Sequence, residues 1–259
     1  LDVLRRGAMS GNDITKQFEQ AYAKWMGMEL ALAYPNGTEA IRAGLWACGV
    51  GAGDEVICAS MTYWASCTSV LTLGAAVNFA DIEADTLCID PADIEHRIGP
   101  RTKAIVAVHY AGYPCAMDRI MAIARKHKVK VLEAVSHAHG ALYKGKTLGT
   151  FGDIAAMSMM SGKSFAIGEG GMMVTNDRAI YERCVSYGFY ERTGVASRWN
   201  APDAQVTMKE LKPFAGVPLG GYKHRLNQIA SAVGLGQLKH YPKRMKEIQD
   251  AMNRFWDLL

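Results

Sequence analysis

Strand-like and helix-like segments alternate along most of the chain, and this alternation constrains the fold more than any other feature. Short apolar runs such as EVICA and KAIVAVHY are separated by longer segments in which apolar residues recur at helical spacing. In the segment 14–26, Phe18, Tyr22 and Trp25 fall on one face of a predicted helix. Short strands that alternate with helices are typical of a mostly parallel sheet. We therefore predict a three-layer α/β fold, in which helices cover both faces of the sheet.

The same spacings place the other elements. Helices are predicted from residue 36 to about 47, over 66–73, near 91–98 and at about 116–127, and strands at EVICA, AVNFADI, KAIVAVHY and KVKVLEA. In such sheets ligands bind where strands end and loops lead into helices. The segment 188–218 interrupts the pattern because it is polar and aperiodic, and a loop this long is usually functional. We expect it to contribute to substrate specificity.

The composition argues against several classes of protein. The net charge is only +4 and the basic residues are scattered, so nucleic acid is not an expected partner. No apolar stretch approaches the roughly 20 residues of a membrane-spanning helix, and the first residues lack the apolar run of a secretory signal. The six cysteines form no CxxC pair, which predicts reduced thiols in a cytoplasmic protein. Without clustered His, Cys or carboxylate residues, no metal is expected.

The segment MSMMSGKSFAIGEGGMMVTND, residues 157–177, contains a lysine in an unusual setting. Lys163 lies among small and apolar residues and precedes a Gly-rich turn and a strand. Partial desolvation in such a setting lowers the pKa of an ammonium group and frees the amine as a nucleophile. Schiff-base chemistry needs such an amine. From this segment alone, a surface lysine in a loop is an equally good interpretation.

The segment NGTEA, residues 36–40, is a candidate phosphate site. Gly37 permits close backbone approach, and Thr38 offers a hydroxyl and an N–H at a helix start. The same residues also suit an ordinary turn followed by a helix cap, so the segment alone does not decide between the two.

Taken together, these segments identify the chain as similar to the DegT/StrS family of sugar aminotransferases that depend on pyridoxal phosphate (PLP), a fold-type I group. The resemblance covers nearly the whole chain, and the segments occur in the family's order. It runs through FEQAYAKWMG, NGTEAIRAGLWACGVGAGDEVI, SMTYWAS, DPADIEHRIGPRTKAIVAVHYAGYP, MDRIMAIARKHKVKVLEA, AHGALYKGK, GTFGDIAAMSMMSGK and GEGGMMVTND.

The resemblance implies that residues 1–259 are the large PLP-binding domain, ending in the connecting helix. The chain starts at Leu1 and stops at Leu259 within a helical run that has no Gly or Pro stop signal. We therefore expect a fragment, or a sequence restricted to ordered residues. The resemblance implies a smaller C-terminal domain, which this chain lacks after Leu259. The resemblance also implies a homodimer with shared active sites at its interface.

The resemblance implies roles for several residues. Lys163 matches the lysine that forms the Schiff base with PLP, and Ser158 matches a hydroxyl on the cofactor phosphate. Gly37 and Thr38 match the phosphate-binding turn.

Three further residues match positions around the cofactor ring or at the subunit interface. Tyr63 matches the aromatic residue that stacks on the pyridine ring, and His137 matches the contact to the ring hydroxyl. Lys223 matches a position that reaches the phosphate of the partner subunit, although it also suits a solvated lysine.

At one position the sequence departs from the family pattern. The strand KVKVLEA ends in Glu-Ala, whereas the family has Glu-Asp, and that Asp pairs with the protonated pyridine nitrogen. Ala134 cannot do this, Glu133 should face the other side of the strand, and Ser136 is a weak substitute. Three interpretations stay open: an engineered substitution, an enzyme tuned for other chemistry, or a protein that has lost activity.

The resemblance implies ping-pong transamination, in which an amino group passes from glutamate or glutamine to a keto-sugar or a keto-cyclitol. We expect a keto-sugar acceptor to be linked to a nucleotide. One alternative is a PLP-dependent sugar dehydratase, but in those relatives the lysine is commonly replaced by His, and Lys163 is present here. The other alternative is a silent binding or regulatory homologue, which Ala134 favours.

The remaining histidines receive structural interpretations. His139 is predicted to pack near the site, and His109 to end a strand near the cofactor. Helical or basic contexts predict solvated side chains for His96, His127, His224 and His240.

Overall fold

A computed structural model describes residues 1–10, 13–193 and 206–258. In this part of the chain, nine strands are present: β1 (Leu30–Tyr34), β2 (Glu55–Ala59), β3 (Ala76–Ala80), β4 (Thr102–Val108), β5 (Lys130–Ala134), β6 (Leu142–Tyr143), β7 (Lys146–Thr147), β8 (Ile154–Ser158) and β9 (Gly171–Thr175). Seven of them form a sheet in the order β1-β9-β8-β5-β4-β2-β3, and β6 and β7 form a separate hairpin. Neighbouring strands from β3 to β8 are parallel, whereas β9 is antiparallel to both β8 and β1. The prediction of a mostly parallel sheet is confirmed.

The helices of the described residues cover both faces of this sheet. They are α1 (Asp2–Arg5), α2 (Asp13–Met26), α3 (Gly37–Ala47), α4 (Ala65–Leu71), α5 (Pro91–Arg97), α6 (Met117–His127), α7 (Arg178–Gly188) and α8 (Gln228–Trp256). The helix predicted over 66–73 is α4, which begins one residue earlier, at Ala65, and ends two residues earlier, at Leu71. The last two residues of KAIVAVHY lie beyond the end of β4. Of the predicted loop 188–218, residues 194–205 lie outside the described part of the chain.

Alternation along the central strands sends side chains to two separate cores. Ile57, Ile105 and Val131 pack with residues of α2, α5, α6 and α8 on one face. Their neighbours Val56, Val106 and Leu132 pack with residues of α3, α4 and α7 on the other. Strands that are buried on both faces read as continuous apolar runs, which is why EVICA and KAIVAVHY show no polar side.

Glu133 is the buried charge that ties the carboxyl end of β5 to its surroundings. Its Oε1 accepts hydrogen bonds from the N–H groups of Phe151 and Gly152, both at 2.7 Å. Its Oε2 accepts from the N–H of Gly149 at 2.8 Å and lies 3.1 Å from Nε2 of His109. Because Nδ1 of His109 accepts from a backbone N–H, its Nε2 carries the proton and donates to Glu133. Both strand ends and the loop before β8 are therefore fixed to one carboxylate.

The prediction of a solvated His224 is wrong, because the ring is only 2% exposed. The rings of Tyr187 and Tyr222 stack on it at centroid distances of 5.7 and 6.2 Å, and its Nε2 lies 3.5 Å from Glu39 Oε2. Burial is the main cause that lowers its pKa from 6.5 to about 4, and Arg42 lowers it further while Glu39 raises it. His96 and His240 are exposed as predicted, and His127 is half-buried beside Glu95.

We expect Glu133→Gln to lower the free energy of unfolding by about 3 kcal/mol, because an amide cannot accept from all of these donors at once. Chemical denaturation measures the change. Glu247→Gln, on the exposed side of α8, is the matched control and should stay within about 0.5 kcal/mol of the unaltered chain. Equal stability of the two variants would contradict the role given to Glu133.

His224→Phe should flatten the dependence of stability on pH. The folded pKa of His224 is lower than its unfolded value, so its contribution is complete above about pH 6.5 and is lost as the pH falls towards 4. Between about pH 7 and pH 5 the free energy of unfolding of the unaltered chain should fall by about 1–2 kcal/mol more than that of the variant. Phe keeps a flat ring between the two tyrosines, so the comparison isolates the titration. Denaturation at both pH values measures the difference, and parallel losses would contradict it.

Candidate active site

A cavity of about 370 Å³ opens at the carboxyl ends of β4, β5 and β8. This is the edge where ligands are expected in a parallel sheet. Six of the seven residues selected from the sequence line this cavity: Gly37, Thr38, Tyr63, His137, Ser158 and Lys163.

The start of α3 forms one end of the cavity. The side chain of Asn36 accepts the N–H of Glu39 at 2.9 Å, which fixes the first turn of the helix. A Cβ atom on Gly37 would lie 2.8 Å from the backbone of Ser158, so only glycine allows these two segments to approach so closely. The first N–H groups of a helix have no partner within it and carry partial positive charge. This end of the cavity is therefore suited to an anion.

Lys163 lies in the loop that joins β8 to β9. Its N–H donates to the carbonyl of Met160 at 2.8 Å, and Ser161 donates to Gly168 at 2.9 Å, so the loop is closed on itself. The side chain is half-buried, and burial lowers the pKa of its amine. Within the described residues no ion pair includes Lys163, so no carboxylate opposes this shift. A larger fraction of the amine is consequently neutral than for an exposed lysine.

His137 faces the same cavity. Its Nδ1 accepts the N–H of Ala111 at 3.4 Å, so the proton of the neutral ring is on Nε2. Burial, followed by the charge of Lys163, lowers the pKa of the ring. His137 therefore presents an N–H donor near neutral pH.

The floor of the cavity is apolar. Val108, Ala134 and Ile41 line it and are each at most 6% exposed. Ser136 also lines it, and its Oγ accepts the N–H of Ser158 at 2.9 Å, which leaves the Ser136 proton free to donate. Among the described residues that line the cavity, Glu169 is the acidic one, and its side chain is exposed.

Two aromatic rings stand beside the cavity. Tyr63 and Trp64 follow β2 and are 58% and 57% exposed, and their ring centroids are 4.9 Å apart. Their flat faces are suited to stacking against a heterocycle.

Lys223 lies outside this cavity. Its ammonium group is 3.2 Å from Glu191 Oε1 and 5.8 Å from the ring centroid of Tyr190. The contact of Lys223 with a partner subunit stays a prediction.

The sequence reading assigned no role to Trp64, Met160 or Glu169, although all three line the cavity. Trp64 follows Tyr63 directly, and Glu169 lies in the GEGG turn after Lys163, so their positions beside selected residues were the available signal. In the described residues, no group of three or more His, Cys, Asp or Glu side chains has the geometry of a metal site. No helix in the same residues has the length and apolar character needed to cross a membrane.

Comparison with known proteins gives concordant results. The model of the DegT/DnrJ/EryC1/StrS aminotransferase family matches residues 1–259. GDP-perosamine synthase of Escherichia coli O157:H7 is 36% identical over 243 residues, which cover 93% of this chain and 62% of that protein. L-glutamine:2-deoxy-scyllo-inosose aminotransferase of Micromonospora echinospora is 34% identical over 239 residues, covering 90% of this chain and 55% of that protein.

Solved structures agree with these matches. The PLP form of Spr1654 from Streptococcus pneumoniae superimposes with a TM-score of 0.84 and 26% identity, covering 99% of this chain and 66% of that one. The chain thus spans about three fifths of the length of the curated relatives. It belongs to the DegT/DnrJ/EryC1/StrS aminotransferase family.

Proposed function

We propose that this chain is the large, cofactor-binding domain of a PLP-dependent sugar aminotransferase. The observation that carries the proposal is a half-buried lysine with a lowered pKa in the same cavity as a helix start that is suited to phosphate. Family membership supports it, as does the similarity to a structure solved in its PLP form.

The residues of the cavity fit PLP. The first turn of α3, with Gly37 and Thr38, and the hydroxyl of Ser158 would hold the phosphate. Tyr63 would stack on the ring, and the Nε2–H of His137 would donate to the ring hydroxyl. Bound there, PLP supplies an aldehyde for amines and an electron sink for charge that develops on the donor carbon.

Lys163 performs two tasks in the proposed reaction. Its neutral amine would hold the cofactor by condensing with the aldehyde and releasing water, and the lowered pKa keeps more of the amine in this reactive form. The same Nζ would also carry the proton that leaves the donor Cα, because a neutral amine can accept a proton and its ammonium form can donate one. The apolar floor around Val108 and Ala134 keeps water from this side of the site.

The substrate class follows from the relatives. One relative is a GDP-perosamine synthase and another aminates 2-deoxy-scyllo-inosose with L-glutamine. We infer that the acceptor is a nucleotide-linked keto-sugar or a keto-cyclitol. The inferred amino donor is glutamate or glutamine. We also propose a homodimer in which Lys223 of each subunit completes the phosphate site of the other, and a cytoplasmic location.

A second candidate function is a silent homologue that binds the cofactor without turnover. The apolar side chain of Ala134, at the position that resembles the family's ring-nitrogen contact, favours it. A sugar dehydratase is disfavoured because Lys163 is retained.

The full chain incubated with PLP should turn yellow, and borohydride should then fix the mass of the cofactor on the peptide that contains Lys163. Glutamate should bleach the colour and a nucleotide-linked keto-sugar should restore it. Lys163→Ala should abolish the fixed mass and the bleaching, because Lys163 is the lysine among the described residues that line the cavity. Absorbance and peptide mass analysis measure these outcomes.

Lys146→Ala is the matched control, since Lys146 lies away from the cavity beside Thr147 and Gly145. It should behave like the unaltered chain. Cofactor mass on Lys146 instead of Lys163 would refute the assignment, and colour without bleaching by either donor would favour the silent homologue.

Ala134→Asp should speed the bleaching by glutamate. A carboxylate at this position raises the pKa of a facing ring nitrogen by about 1–3 units, so the protonated, stronger electron sink becomes at least about tenfold more populated. Stopped-flow absorbance measures the rate. Ala134→Asn is the control of equal size without charge and should give little gain, and equal rates in both variants would contradict the argument.

A further inference from the structure

The loop that carries Lys163 is anchored on its buried side by Phe165, which is fully buried. Five rings surround Phe165, with centroid distances between 4.9 and 6.3 Å: Phe18, Tyr22, Trp25, His139 and Tyr241. They belong to α2, to the segment after β5 and to α8. We call these five rings the aromatic cage. The side chain two residues after Lys163 is thereby held by three separate parts of the chain.

A hydrogen-bonded pair fixes the residue next to Lys163. The hydroxyl of Tyr241 donates to the carbonyl oxygen of His139 at 3.1 Å, which uses its single proton. Ser164 Oγ lies 2.8 Å from the Tyr241 oxygen and must therefore donate to it. Because both hydroxyl groups are at least partly buried, loss of the Tyr241 hydroxyl leaves Ser164 Oγ without its acceptor, and loss of the Ser164 hydroxyl leaves the Tyr241 oxygen without its donor.

His139 fixes the other side of the loop. The ring is buried, and burial lowers its pKa to about 4, so it is neutral near pH 7. Its Nε2–H donates to the carbonyl of Ser158 at 2.9 Å, and Nδ1 accepts from the hydroxyl of Tyr22 at 3.0 Å. The same histidine therefore links Ser158, through its ring, and Ser164, through its carbonyl and Tyr241.

We propose that Phe165, Tyr241 and His139 are positioning residues for Lys163. They hold both flanks of the loop so that the amine stays half-buried at the cavity wall, where none of the described acidic side chains forms an ion pair with it. If the loop loosens, the amine gains water and its neutral fraction falls. The consequence for catalysis rests on the proposed function, but the consequence for the amine itself does not.

The test measures the ionisation of Lys163 in the cofactor-free full chain. Competitive labelling with acetic anhydride over a pH series, followed by mass analysis of the Lys163 peptide, gives the midpoint. Tyr241→Phe and Ser164→Ala should each raise this midpoint towards that of an exposed lysine, which gives a severalfold loss of neutral amine at a given pH. The double variant should match Tyr241→Phe, because that substitution already removes the hydrogen bond that Ser164→Ala breaks.

Tyr34→Phe is the matched control, since Tyr34 is equally buried and its hydroxyl bonds to no residue of the loop among the described contacts. It should leave the midpoint unchanged, even if thermal melting shows a loss of stability. Phe165→Leu keeps an apolar side chain in the aromatic cage but removes the ring contacts, so it should raise the midpoint as well.

An unchanged midpoint in folded Tyr241→Phe and Phe165→Leu variants would overturn the proposal. Additive shifts in the double variant would overturn the shared hydrogen bond. The proposed function is tested separately by the PLP colour of the unaltered chain. If that colour is absent while the midpoints shift as expected, the positioning role stands and the cofactor assignment fails.

Discussion

The buried carboxylate of Glu133 is the interaction on which the arrangement of the site depends. A charge without exposure is tolerated only when it is fully bonded, and Glu133 receives three backbone N–H groups and the ring of His109. These bonds fix the ends of β4 and β5 and the loop that leads into β8. Val108 and Ala134, the last residues of β4 and β5, line the cavity on the other face of the sheet. The bonds of Glu133 therefore hold the cavity in shape from the face opposite to it.

The cavity separates an electropositive end from an apolar floor. The free N–H groups at the start of α3 attract an anion, while Val108 and Ala134 offer no charge. Lys163 lines the same cavity and forms no ion pair with an acidic side chain among the described residues. An ammonium ion is therefore poorly stabilised there, because the helix start and the apolar floor offer it no compensating negative charge.

The fold was predictable from the sequence because strands buried on both faces leave a local pattern that needs no knowledge of neighbours. Lys163 and Gly37 became candidates through local signals, but those signals suited a surface lysine and an ordinary turn equally, and only the family resemblance favoured a cofactor site. His224 was misjudged because its burial depends on Tyr187 and on Glu39, which are distant in sequence. The reversed direction of β9 was also not foreseen, because strand direction depends on the path of the loop after Lys163.

That loop explains why the sequence around Lys163 contains both small and bulky residues. Gly168 and Gly170 let the chain return antiparallel to β8, and Gly168 takes a left-handed φ of 94° that suits glycine. Phe165 directs the opposite side of the loop into the aromatic cage, so one face is packed while Lys163 remains at the cavity. A lysine on a loop without such an anchor would move towards water, because solvation favours its charge. The apolar packing of α2 and α8 around Phe165 thus supports the position of an amine that lies two residues away along the chain.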